Sequence, residues 1–123
     1  MNSKMMDSVW AGNFADEWIA AWNAHDLERI FSHYTDDFEM TSPLIVERMK
    51  VASGTLKGKE NIKPYWQIGL SAAPPLKFEL VEVLAGVNSL TLIYRGTSGK
   101  LAAEVLIFNE SGKAVKGIAH YVG

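Results

Sequence analysis

Residues 77–121 read KFELVEVLAGVNSLTLIYRGTSGKLAAEVLIFNESGKAVKGIAHY, and this stretch decides the fold. Four segments within it, 77–84, 89–95, 101–109 and 114–121, are dense in Val, Ile, Leu, Phe and Tyr, the side chains that suit a pleated, half-buried surface. Gly86-Val87-Asn88, Gly96-Thr97-Ser98-Gly99 and Asn109-Glu110-Ser111-Gly112 separate them. A parallel crossover needs about a dozen residues or more, so links this short imply an antiparallel meander. Ala103, Val105, Ile107 and Ile118 alternate with an equally apolar opposite set, so both faces of the sheet are greasy. A sheet with one face in water alternates more cleanly, and an apolar outer face of this kind marks an association surface. A homodimer through that face is the expectation.

The N-terminal third reads as helix. Trp10, Phe14, Trp18, Ala21 and Trp22 recur at helical spacing, with Asn13, Asp16, Glu17 and Asn23 opposite. His25-Asp26 interrupts the pattern, and Asp26 is a good N-cap for a second helix with the stripe Leu27, Ile30, Phe31 and Tyr34. Thr35-Asp36-Asp37 ends that helix, since short polar side chains compete for the backbone. Residues 38–42 read as a short strand that Pro43 stops, and 44–53 as loop with some strand character. Gly54 and Gly58 bracket an extended piece. Ile62, Tyr65, Trp66 and Leu70 mark a third helix, whose N-cap would be Asn61 if Pro64 is to fall in the first turn. Ala73-Pro74-Pro75 ends it. Helices first and strands later is the α+β order.

The chain has 123 residues, 48% apolar and 21% charged, and a formal net charge of −2. That is one domain, residues 1–123, large enough to bury a core without staples. The twelve cations are scattered, which argues against nucleic acid as a partner. There is no Cys, so disulfides, thiolate metal sites and Cys nucleophiles are excluded. Residues 1–7 lack a signal-like apolar run and no segment approaches a membrane span, which points to a cytoplasmic protein with no membrane partner. The three histidines match no metal-ligand spacing, and the glycines form no phosphate cradle, so no metal and no cofactor are expected.

Ala20-Ala21-Trp22-Asn23-Ala24-His25-Asp26-Leu27, followed by Tyr34-Thr35-Asp36-Asp37-Phe38, is similar to the opening of many SnoaL-like proteins of the NTF2-like superfamily. Gly58-Lys59-Glu60-Asn61-Ile62 before Tyr65-Trp66 resembles their third-helix start. Phe108-Asn109-Glu110-Ser111-Gly112-Lys113 resembles their last hairpin, and His120-Tyr121 a frequent ending. The match covers almost the whole chain. It implies a cone-shaped fold in which three N-terminal helices pack on a curved antiparallel sheet and enclose an apolar pocket. The superfamily includes ketosteroid isomerases, polyketide cyclases, dehydratases, epoxide hydrolases and non-enzymatic binding proteins, so the fold alone selects no activity.

The resemblance nominates Trp18, Trp22, Tyr34, Met40, Ser42, Trp66, Leu80, Glu104, Ala119 and Tyr121 as pocket residues. For the helical aromatics, plain core is the competing reading. Glu104 is the chemically pointed residue, because it interrupts an apolar central strand, where a charge is costly unless paired, hydrated or neutralised. It either faces the pocket or pairs with a cation such as Arg95. It resembles the acidic oxyanion-hole residue of ketosteroid isomerases, a carboxylic acid that stays neutral and donates a hydrogen bond. Ser42 stands where those enzymes carry their carboxylate base and Trp18 where they carry a phenol, so isomerase chemistry is not expected to survive. Two functions compete: a binder of an apolar, cyclic small molecule with metal-independent acid/base isomerase, cyclase or hydrolase chemistry, and a non-enzymatic dimerisation or protein-interaction module. Strand alternation turns His120 away from the pocket, toward surface or interface.

Overall fold

The computed structural model describes residues 6–123; residues 1–5, part of the N-terminal stretch read above for a signal sequence, lie outside the described residues. The meander forms as its short links require. Strands β3 (Glu79–Gly86), β4 (Ser89–Arg95), β5 (Leu101–Phe108) and β6 (Ala114–Tyr121) pair antiparallel in succession. The last turn is closed by the Asn109 side chain, whose Oδ1 accepts from the backbone N–H of Ser111 and of Lys113, both at 3.0 Å. Gly112 there adopts φ 76°, a left-handed conformation that favours glycine.

The sheet is larger than the meander. Two further strands, β1 (Tyr34–Thr41) and β2 (Thr55–Lys57), extend it to six in the order β2-β1-β6-β5-β4-β3. β1 joins β6 in parallel, so the expected antiparallel sheet is mixed at this one pairing. The short-link argument covers only consecutive strands, and no turn constrains the direction of β1 against a strand about seventy residues away. The register shifts between Tyr34 and Glu39, an irregularity of the kind that bends a strand.

Among the described residues four helices, one more than expected, pack on the sheet: α1 (Ser8–Asn23), α2 (Leu27–Phe31), α3 (Pro43–Met49) and α4 (Lys59–Leu70). In α1, Asp7 caps the first turn by accepting from Trp10 N–H, and the buried face includes Phe14, Trp18, Ala21 and Trp22, as the stripe requires. His25 takes a left-handed φ of 56° and breaks the helix, and Asp26 caps α2 by accepting from Arg29 N–H. α2 ends at Phe31, earlier than its stripe suggests. Tyr34 pairs with Ala114 as the first residue of β1, and this long-range pairing overrides the local helical pattern.

The segment expected as loop is α3. Ser42 and Pro43 form an N-cap followed by a first-turn proline, and Lys50 closes the helix at φ 57°. Pro43 does end the strand, but by starting a helix. α4 begins three residues earlier than expected: Gly58 is its N-cap, with its carbonyl accepting from both Asn61 and Ile62. Asn61 instead donates from Nδ2 to the Lys57 carbonyl. Pro64 thus lies inside the helix, which forgoes one backbone bond there. Among the described residues no helix is long and apolar enough to cross a membrane.

Strand alternation decides what faces the helices. Leu90, Leu92 and Tyr94 on β4, Ala102, Glu104, Leu106 and Phe108 on β5, and Ala119 on β6 are all buried. They meet the buried faces of α1 and α4. On the outer side, Ile93, Ala103, Val105, Ile107 and Ile118 are half-buried.

Candidate functional site

A cavity of about 480 Å³ opens between the inner sheet face and the helices. Trp18 and Trp22 reach it from α1, Leu44 and Arg48 from α3, and Tyr65 and Trp66 from α4. Phe78, Tyr94, Ala102, Glu104 and Tyr121 complete it from the sheet side, and residues 72–74 and 96–98 frame it. Its aromatic wall is continuous: Trp22 meets Trp66 edge-on at 5.0 Å, and Trp18 stacks on Phe78 at 5.9 Å. Space beside the carboxylate depends on Gly117. A Cβ there would lie 3.0 Å from Met40 Sδ, 3.3 Å from Leu106 Cδ2 and 3.8 Å from Glu104 Oε2.

Glu104 sits between Leu92 and Ala119 in the register of β4, β5 and β6 and is only 4% exposed. Burial raises its pKa from an ordinary 4.5 to about 8, opposed by a hydrogen bond from the Tyr94 hydroxyl to Oε1 that is long, at 3.4 Å. At neutral pH the group is therefore mostly a carboxylic acid, a donor as well as an acceptor. Tyr34, Tyr65, Tyr94 and Tyr121 all feel it. Burial raises each phenol first, and the proximity of a Glu104 anion raises it further, so all four stay protonated. Tyr65 donates to Ser42 Oγ at 3.1 Å. The site is a ring of neutral hydroxyls and indoles around one neutral acid. It can hold a ligand oxygen by hydrogen bonds, and it can supply a proton.

Of the residues nominated from sequence, Trp18, Trp22, Met40, Trp66, Glu104 and Tyr121 line this cavity. The other four are set back from it. Tyr34 is buried behind Trp18 and accepts from its Nε1 at 3.0 Å. Ser42 is 1% exposed, and its Oγ accepts from Leu44 N–H as the α3 cap, so it stands in no position to act as a base. Leu80 pairs with Tyr94 and packs into the core. Ala119, buried beside Glu104, carries no group to offer. Arg95 does not pair with Glu104: it is exposed and donates to the Gly99 carbonyl at 3.1 Å. His120 and Glu47 are exposed.

Sequence reasoning missed Tyr65, Tyr94, Phe78 and the α3 pair Leu44 and Arg48 as lining residues. The signal for the α3 pair existed. Ser42-Pro43 is a helix-start signature, and residues 44 and 48 then share a face. Away from the cavity, Glu17 takes a two-point contact from Arg29 at 2.8 and 2.6 Å and a third from His33 at 3.1 Å. Among the described residues no three His, Asp or Glu side chains converge as a metal would require.

Residues 15–122 match the SnoaL-like domain family. No curated protein matches the chain in sequence. Among solved structures, a SnoaL-like protein of unknown function from Burkholderia thailandensis E264 is 48% identical, with a TM-score of 0.93 over 98% of this chain and 100% of the other. An NTF2-like protein of unknown function from Burkholderia pseudomallei K96243 is 15% identical, with a TM-score of 0.73 over 91% and 90%. TerC, co-crystallized with polyporic acid, is 16% identical, with a TM-score of 0.73 over 91% and 92%.

Proposed function

The chain belongs to the SnoaL-like domain family, and from its cavity we propose that it binds an apolar, cyclic small molecule through an oxygen that accepts a hydrogen bond from Glu104. The observation that carries this reading is one buried carboxyl on the wall of an aromatic cavity, paired with no cation among the described residues. Cavities of about 300–1,000 Å³, mostly apolar with a few convergent polar groups, are the ordinary form of a small-molecule site. Trp18, Trp22 and Trp66 supply flat apolar surface for a ring system. The Tyr94 and Tyr121 hydroxyls add polar contacts that fix orientation. A protein of similar fold, TerC, was co-crystallized with polyporic acid, which agrees with such a use of the fold.

If a reaction follows binding, the protein supplies an acid without a partner base. Protonation of a carbonyl or leaving oxygen by Glu104 fits a cyclisation, a hydrolysis or an acid-assisted isomerisation with no metal. Removal of a carbon-bound proton does not fit, because Ser42 is committed to capping α3 and Glu47 points to solvent. We propose the cytoplasm as the place of this activity, as expected from the sequence.

A thermal-shift screen of wild type with tetralones, naphthyl ketones and aromatic lactones tests the reading. Specific binding raises the melting temperature with ligand concentration. The shift should vanish in Glu104→Leu, which keeps the shape and loses the donor. If no compound stabilises wild type, or if Glu104→Leu responds as wild type does, the proposed contact is wrong.

A second reading, association between two copies, rests on a different surface. Across the outer sheet face, Lys116 and His120 on β6 flank one side of the Ile93, Val105, Ile107 and Ile118 strip, and Glu79 and Glu82 on β3 flank the other. A two-fold axis along β5 would set the apolar strip of each copy against that of its partner. We propose a homodimer through this face, compatible with ligand binding on the other. Sedimentation of wild type and Val105→Glu at micromolar concentration is the check. A wild-type monomer, or an unaltered dimer in the variant, removes the proposal.

A further inference from the structure

The cavity's charges are few and one-sided. Among the described residues three charge-bearing side chains line it: the buried Glu104, and Arg48 and Lys100, both exposed. With Glu104 neutral the lining carries two positive charges, and with Glu104 ionised it would still carry one. The whole chain has a net charge of −2, so the cavity runs against the sign of the molecule. A concave, low-dielectric wall of one sign focuses field toward ligands of the other.

Arg48 is the more specific of the two cations. It follows Leu44 by one helical turn on α3, and both line the cavity. Its guanidinium extends over α4 where residue 69 has no side chain: a Cβ at Gly69 would be 3.8 Å from Arg48 Nη1. It is close enough to Tyr65 and Tyr121 for its charge to favour their ionised forms. Among the described residues it nevertheless makes no ion pair and no hydrogen bond. A planar fork of five donors thus stands at the mouth of an aromatic cavity, beside two phenols, with no carboxylate of the protein to hold it.

We infer that the ligand is an organic anion, a ring system bearing a carboxylate, whose ring lies against Trp18, Trp22 and Trp66 and whose carboxylate is taken at the mouth by Arg48. The inference rests on the binding reading above and deepens it, with Glu104 meeting a neutral oxygen at the inner end and Arg48 the charged group at the outer end. Guanidinium suits a carboxylate because two parallel N–H groups match its two oxygens. Lys100 adds charge without that geometry and raises the rate of encounter more than it fixes the pose. Neutral ketones of the same shape would enter but be held less firmly.

The test is titration of intrinsic tryptophan fluorescence with 1-naphthoic acid, 2-naphthoic acid and 6-acetyl-2-naphthoic acid, each beside its primary carboxamide, at pH 7.5. The acids should bind about tenfold more tightly than their amides, a ratio expected of one charge-assisted contact. Arg48→Gln should bring each acid to the affinity of its amide and leave the amide unchanged. Arg48→Lys should recover part of the difference. The advantage should shrink as salt is raised from 50 to 500 mM, a range we choose to shorten the screening length. Because Arg48 is exposed, neither variant threatens the fold. Equal affinity of acids and amides, or an acid preference untouched by Arg48→Gln, overturns this inference while leaving the binding reading in place. Failure of every acid, every amide and the neutral ketones above overturns both.

Discussion

Replacing Glu104 by Gln should change how stability depends on pH, and the size of the change follows from the residue's burial. The side chain is 4% exposed, and among the described residues its one hydrogen bond is the 3.4 Å contact from Tyr94. Its pKa is raised from 4.5 to about 8, chiefly by burial. Below pH 4.5 the acid is protonated in both native and unfolded chains, and this group's contribution is fully present. Between pH 4.5 and about 8 the unfolded chain releases the proton and the native state retains it. The native state then binds more protons, so stability falls with pH, by about 1.4 kcal/mol per unit. By pH 7 the loss accumulates to about 3 kcal/mol, and it levels off above the native pKa. Gln has nothing to ionise. Its amide also lacks partners, which costs about 1–3 kcal/mol, but that offset does not vary with pH. The stability of Glu104→Gln relative to wild type should therefore rise by about 3 kcal/mol from pH 4.5 to 7, on the order of 10 °C in relative melting temperature for a chain of this size. Paired urea titrations at half-unit pH steps would measure the difference and cancel every other titrating group. Two parallel curves would show that Glu104 does not change its protonation on folding. Wild type gaining on the variant as pH rises would mean a depressed pKa and a cationic partner, and the account of the cavity floor would fail.

Three other outcomes are expected. Ser42→Ala removes both the α3 cap and the acceptor for the Tyr65 hydroxyl, so urea unfolding should show a loss of about 2 kcal/mol, and a change below about 0.5 kcal/mol would deny the cap its role. Wild type should give no turnover of a delta-5 ketosteroid, and Ser42→Asp should be equally silent because position 42 caps α3 and stands behind the cavity-lining Tyr65 and Tyr121; turnover by either protein would overturn that placement. Glu17, held down to a pKa of about 2 by Arg29 and then His33, contributes stability above pH 4.5 that fades as pH falls toward 2; since the pair is exposed, Glu17→Gln should cost less than about 1 kcal/mol at pH 7 and nothing at pH 2, read by thermal melts.

The meander was legible because three short links and four apolar segments admit few topologies. The α1 stripe was legible because its spacing is regular and His25-Asp26 interrupts it. Tyr34 was misplaced because helix spacing is a local signal, and its pairing with Ala114 on the far side of the sequence is not. The segment after Ser42 misleads for a different reason: proline after a strand reads as a stop, but after serine it is equally a start. That error hid Arg48, since a residue read as loop has no face. The site was legible wherever strand alternation decided it. Glu104 and Tyr121 face the cavity by the same period of two that turns His120 outward. Tyr94 obeyed that period too, but nothing in its apolar strand distinguished it from Leu90 and Leu92. Ser42 and Leu80 were placed by analogy with relatives, and analogy carries a position more readily than an orientation.

Among the described residues, Ser42 and Glu104 are the two buried polar or charged side chains, and the contrast between them bears on function. Ser42 is explained by the fold. Its oxygen accepts from Leu44 and Tyr65, and without it a helix start and a phenol would lose their partners. Glu104 has no such explanation. No described helix end needs it, no cation among the described residues pairs with it, and its neighbours across the sheet are Leu92 and Ala119. At neutral pH its burial costs about 3 kcal/mol relative to a group that need not ionise, a sizeable share of the roughly 5–15 kcal/mol that holds a domain folded. A leucine would complete the apolar row of β5 between Ala102 and Leu106 without that cost. Local rules broken without a structural return concentrate at functional sites. The carboxyl is therefore best explained by what enters the cavity, and a stabilised Glu104→Leu that no longer responds to ring-bearing ketones would show the stability exchanged for binding.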